Sequence, residues 1–516
     1  MIRITSTALV IATCASGTSF AQDARSALQA AAQTLGAANV ESIEISGAGW
    51  YGQVGQSYTL DGDWPRFEVF DYTRMINFDD GTSREDLMRR RGSYPAVGGG
   101  PPFAGDQVIT ELVSGEYAWN LQGDRAVPQG RNYLDGVSHA DFRQLDILLT
   151  PHGFLKAALE SNDATAITIP IAGQSNGGLS QDGRIVTVVS FTALGKYRVN
   201  GTINDENLIE VVSTWVPNPI YGDMLFEMRY TQYEDFDGVM FPTVLHEHQG
   251  DPVFNPAHNS LEIRVSDLRI NPDEPAIVVP DEVRNAPAPV VSNIDSKELA
   301  YGVWRIAGGS HHSVLVEFND FVAVIEAPLN EARSLAVIEE VGRLVPGKPI
   351  RYLVNTHHHF DHSGGLRTYL AQGATIVTHQ GNREFYQDVA FLPGLRSLEP
   401  DRLAMFYPMF TASRRPAPIE GVNQKYVLSD GDRTLDVYPV QGNAHTQTMV
   451  IAYLPDEKII INADMYNPGV PVQSFRLPNM RTLGANIERL KLDVEQHVGI
   501  HGQVGSHADF LTAIAE

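Results

Sequence analysis

Cysteine is all but missing: the 516-residue sequence holds one, Cys14. That excludes a disulfide framework and a thiolate-rich metal site, leaving imidazole and carboxylate as the side-chain ligands available. Positive charge is also scarce, with 38 Lys and Arg against 62 Asp and Glu and a formal net charge of -24. A surface of that sign repels phosphate backbones, which argues against nucleic acid as a partner and for a small or weakly charged substrate. Long apolar runs are absent too. The stretch from Ile4 to Ala15 is too short to span a bilayer comfortably and no later run is better, so no transmembrane helix is expected.

The beginning of the chain has its own pattern. Met1-Ile2-Arg3 supplies an early positive charge, Ile4 to Ala15 an apolar core, and Ser19-Phe20-Ala21-Gln22 small residues at the minus-three and minus-one positions. This predicts a secretory signal peptide over residues 1–21, cleaved after Ala21, and a periplasmic mature protein. Cys14 would leave with the leader. Ile11-Ala12-Thr13-Cys14 faintly resembles a lipoprotein box, although Thr13 is a poor residue before a lipidated cysteine.

The length exceeds one ordinary core, so two domains are expected. Asp23 to Ala37, alanine-rich with leucines at helical spacing, predicts a short helix. From Ser42 to about Arg269 short alternating runs dominate, among them Arg66 to Phe70, Arg184 to Val189, Leu208 to Val212, Met224 to Tyr230 and Leu261 to Val265. Period-two alternation punctuated by Gly, Asn and Asp predicts a mostly antiparallel sheet with one wet face, interrupted by helix at Asp141 to Ala158. This β-rich domain covers 22–270, and Gly115 to Asn120 gives it a faint similarity to periplasmic lipoprotein-carrier half-barrels. Ser93 to Asp106, rich in Gly and Pro, reads as a mobile loop. His246 and His248 share a strand face, but without a carboxylate nearby they read as an exposed pair. Prolines 272, 275, 280, 287 and 289 mark residues 271–295 as a linker, since proline at that density resists helix and inner strand.

The second domain, 296–516, opens with strands at Val303 to Ile306, Ser313 to Phe318 and Phe321 to Glu326, then a helix from Glu331 to Leu344 burying Leu335, Ile338, Val341 and Leu344. The apolar run Ile350 to Val354 leads into Asn355-Thr356-His357-His358-His359-Phe360-Asp361-His362-Ser363-Gly364-Gly365, and Leu366 to Leu370 leads out. This is a strand-to-helix turn carrying several potential metal ligands. In extended backbone His357 and His359 face one centre while His358 and Phe360 face away; Asp361 and His362 follow where the chain turns and can aim at a second. Imidazole and carboxylate suit zinc, or iron or manganese.

His-x-His-x-Asp-His followed by Ser-Gly-Gly, after a hydrophobic strand, resembles the signature of the metallo-β-lactamase superfamily, over about residues 297 to 516. The resemblance implies an α+β chain whose C-terminal part is an αββα sandwich, with the metals at one edge of its two sheets. It also implies further ligands downstream. Val437 to Thr446 is a strand running into a loop with His445 at the position of the third histidine; Lys458 to Asp464 is a buried strand ending in the acid that would bridge the metals; Val498 to Gly502 places His501 last. By resemblance His357, His359 and His445 would hold one metal, Asp361, His362 and His501 the other, with Asp464 between them and a catalytic role for Asp361. The implied cofactors are two Zn2+, with Fe or Mn as alternatives. Members that hydrolyse β-lactams with a thiolate ligand carry cysteine where this chain has Asp464, so it looks closer to the glyoxalase II, lactonase and sulfur-dioxygenase branches.

Two divalent ions sharing a water lower its pKa from 15.7 toward about 7, which supplies hydroxide to attack an ester, thioester, lactone or amide while the metals take the developing negative charge. Two alternatives stand beside this exported dinuclear hydrolase: an iron-dependent sulfur dioxygenase of the same superfamily, and a non-catalytic carrier holding an apolar ligand in the N-terminal domain. Clustered histidines and acids are costly to hold without metal, which weighs against the carrier. Around the site, His311 and His312 read as loop histidines facing water or touching substrate, His379 as packing or support, and Tyr466 as packing. The Met and aromatic density from Asn382 to Gln424 reads either as helical core or as a wall over the metals.

Overall fold

Alternation in the first half produces one very wide sheet. In the computed structural model, which describes residues 17–100, 103–130, 137–175, 178–287, 294–391, 396–406 and 416–515 (side chains of 17–22 and 171–183 apart), thirteen strands among the described residues pair edge to edge between Ser42 and Ile270. The strand Ser42–Gly52 sits mid-sheet, paired on one side with Arg66–Asn77 and on the other with His258–Ile270. Strands follow in chain order outward to Arg125–Gln129 on the first side and backward to Thr165–Ser175 on the second. Its inner face buries Ile43, Ile45, Tyr72, Val189, Val212, Phe226 and Phe241 against Leu28, Leu145, Phe154 and Leu155 of three helices, Gly17–Thr34, His139–Leu148 and Pro151–Glu160.

The expected helical interruption is thus two helices. Pro151 cannot continue the first but suits the first turn of the second, and the Ser138 and Thr150 hydroxyls cap them by accepting from Asp141 N and Gly153 N. The first helix starts earlier than its alanine pattern suggested, at Gly17, and runs through Ala21 to Thr34; residues 1–16 of the expected leader lie outside the described residues. Thr82–Arg91 is a strand despite having almost no apolar residue. Its charges are matched across the ladder, where Glu85 Oε2 accepts from Tyr72 Oη at 3.0 Å and lies 4.0 Å from Arg74 Nε. In the Pro-rich stretch, Val283 of the short helix Asp281–Arg284 is buried with Ile277 and Val279 against Leu112, Trp119 and Ala126 of the sheet.

From Asp295 onward two sheets stack. One has the order 295–300, 303–307, 313–317, 322–325, 350–354, 375–379, 419–422, antiparallel until Val322–Ile325 and parallel thereafter; the other runs 426–429, 434–439, 450–454, 459–462, 496–499, 504–506. Val314, Val316, Ala323 and Ile325 of the first meet Val437, Val450, Ala452, Ile459, Ile461 and Val498 of the second in a shared core. The alternate residues Leu315, Val322 and Val324 pack instead with Val337, Val341, Leu366 and Tyr369 of helices. On the far side Ile451, Tyr453 and Ile460 pack with Met480, Leu483 and Ile487 of the helix Leu477–Leu490 and with Phe510. Period-two burial on both sides of both sheets makes an αββα sandwich, the fold class expected: α+β, antiparallel β first and sandwich second. No helix among the described residues is long and apolar enough to cross a membrane.

The two halves share an interface. Phe360 stands edge-on to Tyr221, 5.0 Å between centroids, and to Trp64 at 6.4 Å. Arg396 donates to the carbonyls of Asn218 at 3.1 Å and Pro219 at 2.6 Å.

Candidate metal centre

Each candidate ligand sits where a strand of the sandwich stops. After Ile350–Val354 the chain leaves the sheet, and the buried Asn355 side chain pins the loop by donating to the His357 carbonyl at 2.9 Å and the His362 carbonyl at 3.2 Å. His357 and His359 point one way, while the buried His358 ring turns to Thr448 Oγ1, 3.0 Å from its Nδ1. His445 follows Thr434–Pro439, Asp464 follows Ile459–Asn462 in the left-handed region at φ 58°, and His501 follows Gln496–Gly499.

These residues converge. One ligand atom each from His357, His359 and His445 lies within 4.8 Å of the others, and the same holds for Asp361, His362, His501 and also His311. Asp464 stands between the sets: Oδ2 is 2.9 Å from His362 Nε2 and 3.4 Å from both His357 Nε2 and His445 Nε2, while Oδ1 is 3.2 Å from His501 Nε2. All seven residues read from the motif and its downstream partners are therefore in one cluster, with Asp464 in the middle.

The outer hydrogen bonds fix which ring nitrogens are bare. A carbonyl only accepts, so His359 Nε2–H donates to the Ser57 carbonyl at 2.9 Å and His501 Nδ1–H to the Ser310 carbonyl at 2.9 Å. His362 Nδ1 faces Glu326 Oε2 at 3.2 Å. Thr356 gives its hydroxyl proton to the same Glu326 oxygen, so its Oγ1 accepts from His357 Nδ1 at 3.0 Å. His357 and His359 thereby turn an unprotonated nitrogen inward, the arrangement by which proteins prepare imidazole for a cation, while His362 Nε2 faces the Asp464 carboxylate at 2.9 Å. Bare nitrogens face each other at 3.0 Å between His357 and His359, and the Nε2 atoms of His362 and His501 lie 3.2 Å apart. His445 Nε2 is buried without a hydrogen-bond partner among the described residues. Lone pairs aimed at lone pairs in a buried place are unfavourable unless positive charge lies between them, so this donor set fits divalent metal ions.

Electrostatics agree. Burial, then the neighbouring imidazoles, hold His357 and His359 well below the usual histidine range, so both are neutral. Burial also works against charging His362 and His501, yet Asp464 above all holds both above their ordinary value, so without a metal these two rings carry the proton that a cation would displace. Desolvation likewise opposes ionisation of Asp464, but His362, His501 and His445 hold its carboxyl far down. The place is built to be negative at its middle and to demand a cation.

Several neighbours differ from expectation. His311 is not a solvent-facing loop histidine: it is buried, pushed down to about 4 chiefly by desolvation, with Nε2 3.2 Å from Asp361 Oδ2 and its ring 4.2 Å from that of His501. Glu326, read only as the end of a strand, is fully buried and binds Thr356, Asn355 and His362 at once. An acid ending a wholly apolar strand beside the motif strand was its signal, the same signal that marked Asp464. His312 instead bonds the Gly502 carbonyl at 2.9 Å, His379 Nδ1 accepts from Gly381 N at 3.1 Å, and Tyr466 packs on Phe510 and His497. Of the aromatic stretch, Phe385, Tyr386 and Phe391 are core, with Tyr386 Oη donating to Asn355 Oδ1 at 2.7 Å; residues 392–395 and 407–415 lie outside the described residues. His246 and His248 do have carboxylates alongside, Glu262 at 3.7 Å and Glu227 at 3.8 Å, but form no ligand cluster among the described residues.

The loop expected to be mobile is held in its described part. Gly98 N donates to the Ala444 carbonyl and Gly99 N to the Gln56 carbonyl, both at 2.9 Å. A Cβ on Gly99 would lie 3.0 Å from His359 Cε1 and 2.1 Å from Gln56 Oε1, so only glycine fits.

A fold of two stacked sheets with this donor cluster at their strand ends agrees with the family comparison: residues 306–472 match the model of the metallo-beta-lactamase superfamily. Among solved structures the chain is similar to the metallo-beta-lactamase FIM-1 from Pseudomonas aeruginosa in its mono-zinc form, at 18% identity over 43% of this chain and 93% of that one, TM-score 0.32. It is also similar to a metallo-beta-lactamase from Pontibacter korlensis, at 14% identity over 43% and 98%, TM-score 0.31. No curated protein matches it.

Proposed function

We propose that the chain is an exported, dinuclear zinc-dependent hydrolase of ester, thioester, lactone or amide substrates, nearer the glyoxalase II and lactonase branches than the thiolate-ligated β-lactamases. The observation that carries this reading is the convergence of two sets of imidazole and carboxylate ligand atoms on Asp464. His357, His359 and His445 hold one ion, and Asp361, His362 and His501 the other, with Asp464 touching both sets. When bound, two zinc ions supply the Lewis acidity that makes water a nucleophile near neutral pH and offset negative charge on the acyl group. Asp361 stays ionised because the His362 and His311 imidazoles outweigh its desolvation. Ionised, it would help hold the second ion and accept a hydrogen bond from a water beside that ion. Glu326, Ser57, Ser310 and Thr356 keep the imidazoles in the tautomer the site needs.

Aspartate at position 464 supports the branch assignment, because no thiolate is available at that centre. The leader pattern of residues 1–21 supports export to the periplasm, and the mature chain starts at Gln22. Loading the full chain with zinc, counting ions per chain and screening acyl esters, thioesters, lactones and β-lactams tests the proposal. Two ions and turnover of one acyl class are expected. Tightly held iron with little zinc, together with oxygen uptake on a persulfide, would replace the hydrolase with a dioxygenase. N-terminal sequencing of exported material that retains residues 1–21 would remove the leader.

A further inference from the structure

The metal centre is not made by the sandwich alone. The loop between the first two strands of the N-terminal sheet, Gln53 to Pro65, enters it. Gln56 is 7% and Ser57 3% exposed, although both sit on a connection between strands, where polar side chains ordinarily face water. Gln56 Nε2 donates to Asp361 Oδ1 at 2.7 Å, and the Ser57 carbonyl takes the His359 Nε2 proton at 2.9 Å. One candidate ligand from each donor set is thus oriented by this single loop.

The loop is fixed at both ends and along its length. Gln53 N donates to the Pro65 carbonyl at 2.8 Å, closing its base, and Gly99 N donates to the Gln56 carbonyl at 2.9 Å. Backbone bonds tie it to the sandwich: Gln447 N to the Tyr58 carbonyl at 2.9 Å and Phe360 N to the Gly55 carbonyl at 3.3 Å. Gly55 has φ 74°, and a Cβ there would lie 2.3 Å from Phe360 Cγ, so the backbone approaches the motif loop as closely as it can.

We propose that Gln56 is a positioning residue of the metal centre, and that the N-terminal domain serves the C-terminal one by supplying the outer hydrogen bonds of Asp361 and His359. This rests on the metal-centre reading above. A carboxylate with one oxygen held by an amide donor presents the other in a fixed direction. An imidazole whose Nε2–H is taken by a carbonyl presents Nδ1 unprotonated. The amide is a better partner for Asp361 than a charged donor would be, because it fixes the carboxylate without cancelling the negative charge that attracts the cation. Outer-shell partners of this kind ordinarily contribute about 10- to 100-fold to metal affinity.

The test uses the full-length chain, wild type, Gln56→Ala and the size-conserving Gln56→Met, titrated with zinc and with cobalt(II) against a competing chelator. In both variants one of the two ions is expected to bind about 10- to 100-fold more weakly. The ligand-field absorption of the cobalt form should shift, while the second ion and the melting temperature of the metal-free chain change little. Gln56→Met keeps the buried volume, so the outcome remains decidable if Gln56→Ala folds poorly. Variants that bind both ions with wild-type affinity and show an unchanged cobalt spectrum overturn the positioning role and leave the metal centre standing. A wild-type chain that binds neither zinc nor cobalt overturns the metal centre, and this inference with it.

Discussion

The two halves of the molecule both bury charged and imidazole side chains, and they treat them in opposite ways. In the wide N-terminal sheet Arg143 donates to the carbonyls of Leu112 and Trp119 at 2.8 and 2.9 Å and pairs with Glu111 at 3.0 Å, so acid and base answer each other. His258 Nε2 meets Tyr221 Oη at 3.0 Å and stacks on Trp64. In the sandwich the outer atoms are just as well satisfied, but the inner ones crowd around one carboxylate, Asp464, which the imidazoles of His357, His362, His445 and His501 all face. Burial of polar groups is therefore no mark of function; convergence of ligand atoms is.

The sharpest way to break that contrast is to remove a convergent ligand. His359→Ala should lower turnover by more than about 100-fold, beyond the usual cost of losing an outer-shell partner, and reduce bound metal while far-UV circular dichroism still shows the N-terminal sheet. Undiminished turnover with full metal content would refute the ligand assignment. Next in size is Glu326→Gln, which removes the charge that His362 and Thr356 share. Chelator competition should report metal binding weakened by about 10- to 100-fold, and an unchanged affinity would reduce Glu326 to a structural role.

A third, smaller effect belongs to the N-terminal half. Burial, with help from Glu247 and Glu85, pushes the Asp146 carboxyl up to about 8 despite Arg74. A folded value above the unfolded one favours the native state at low pH, and that contribution is lost as pH rises through the folded value. The melting temperature should fall between about pH 5 and pH 9, and Asp146→Asn should flatten the fall without altering metal content. An identical pH profile in the variant would show that the carboxyl does not titrate there. Smallest of all, His246→Ala should leave bound metal unchanged by elemental analysis; a lost ion would mean that the N-terminal histidines hold metal after all.

Legibility in the sequence followed chemistry more closely than structure. The seven clustered residues could be read because the motif after Ile350–Val354 resembles a family signature, and that resemblance implied His445, Asp464 and His501 at the ends of later apolar strands. Glu326 obeyed the same pattern but lay outside the motif. Ser57 and Ser310 act through carbonyl oxygens, which every residue owns, so no sequence pattern can single them out. Gln56 is an uncharged amide far from the motif, and its role exists only because Gly55 and Gly99 let two loops close on it. Thr82–Arg91 escaped notice as a strand because its partners across the ladder, not its own residues, make its charges tolerable. The αββα half was readable from period-two apolar runs; the width of the N-terminal sheet was not, since register between distant strands leaves no local trace.

Gln56 and Asp361 are 305 positions apart, and Ser57 and His359 are 302 apart. During synthesis the loop is therefore finished long before the side chains it must meet have left the ribosome, and His501 follows later still. Contacts of such long range form late, after local structure has already settled. The second donor set is complete only once His501 has joined Asp361 and His362, so an ion held there reports that the Gln56 loop, the motif loop and the last of these strand ends have met.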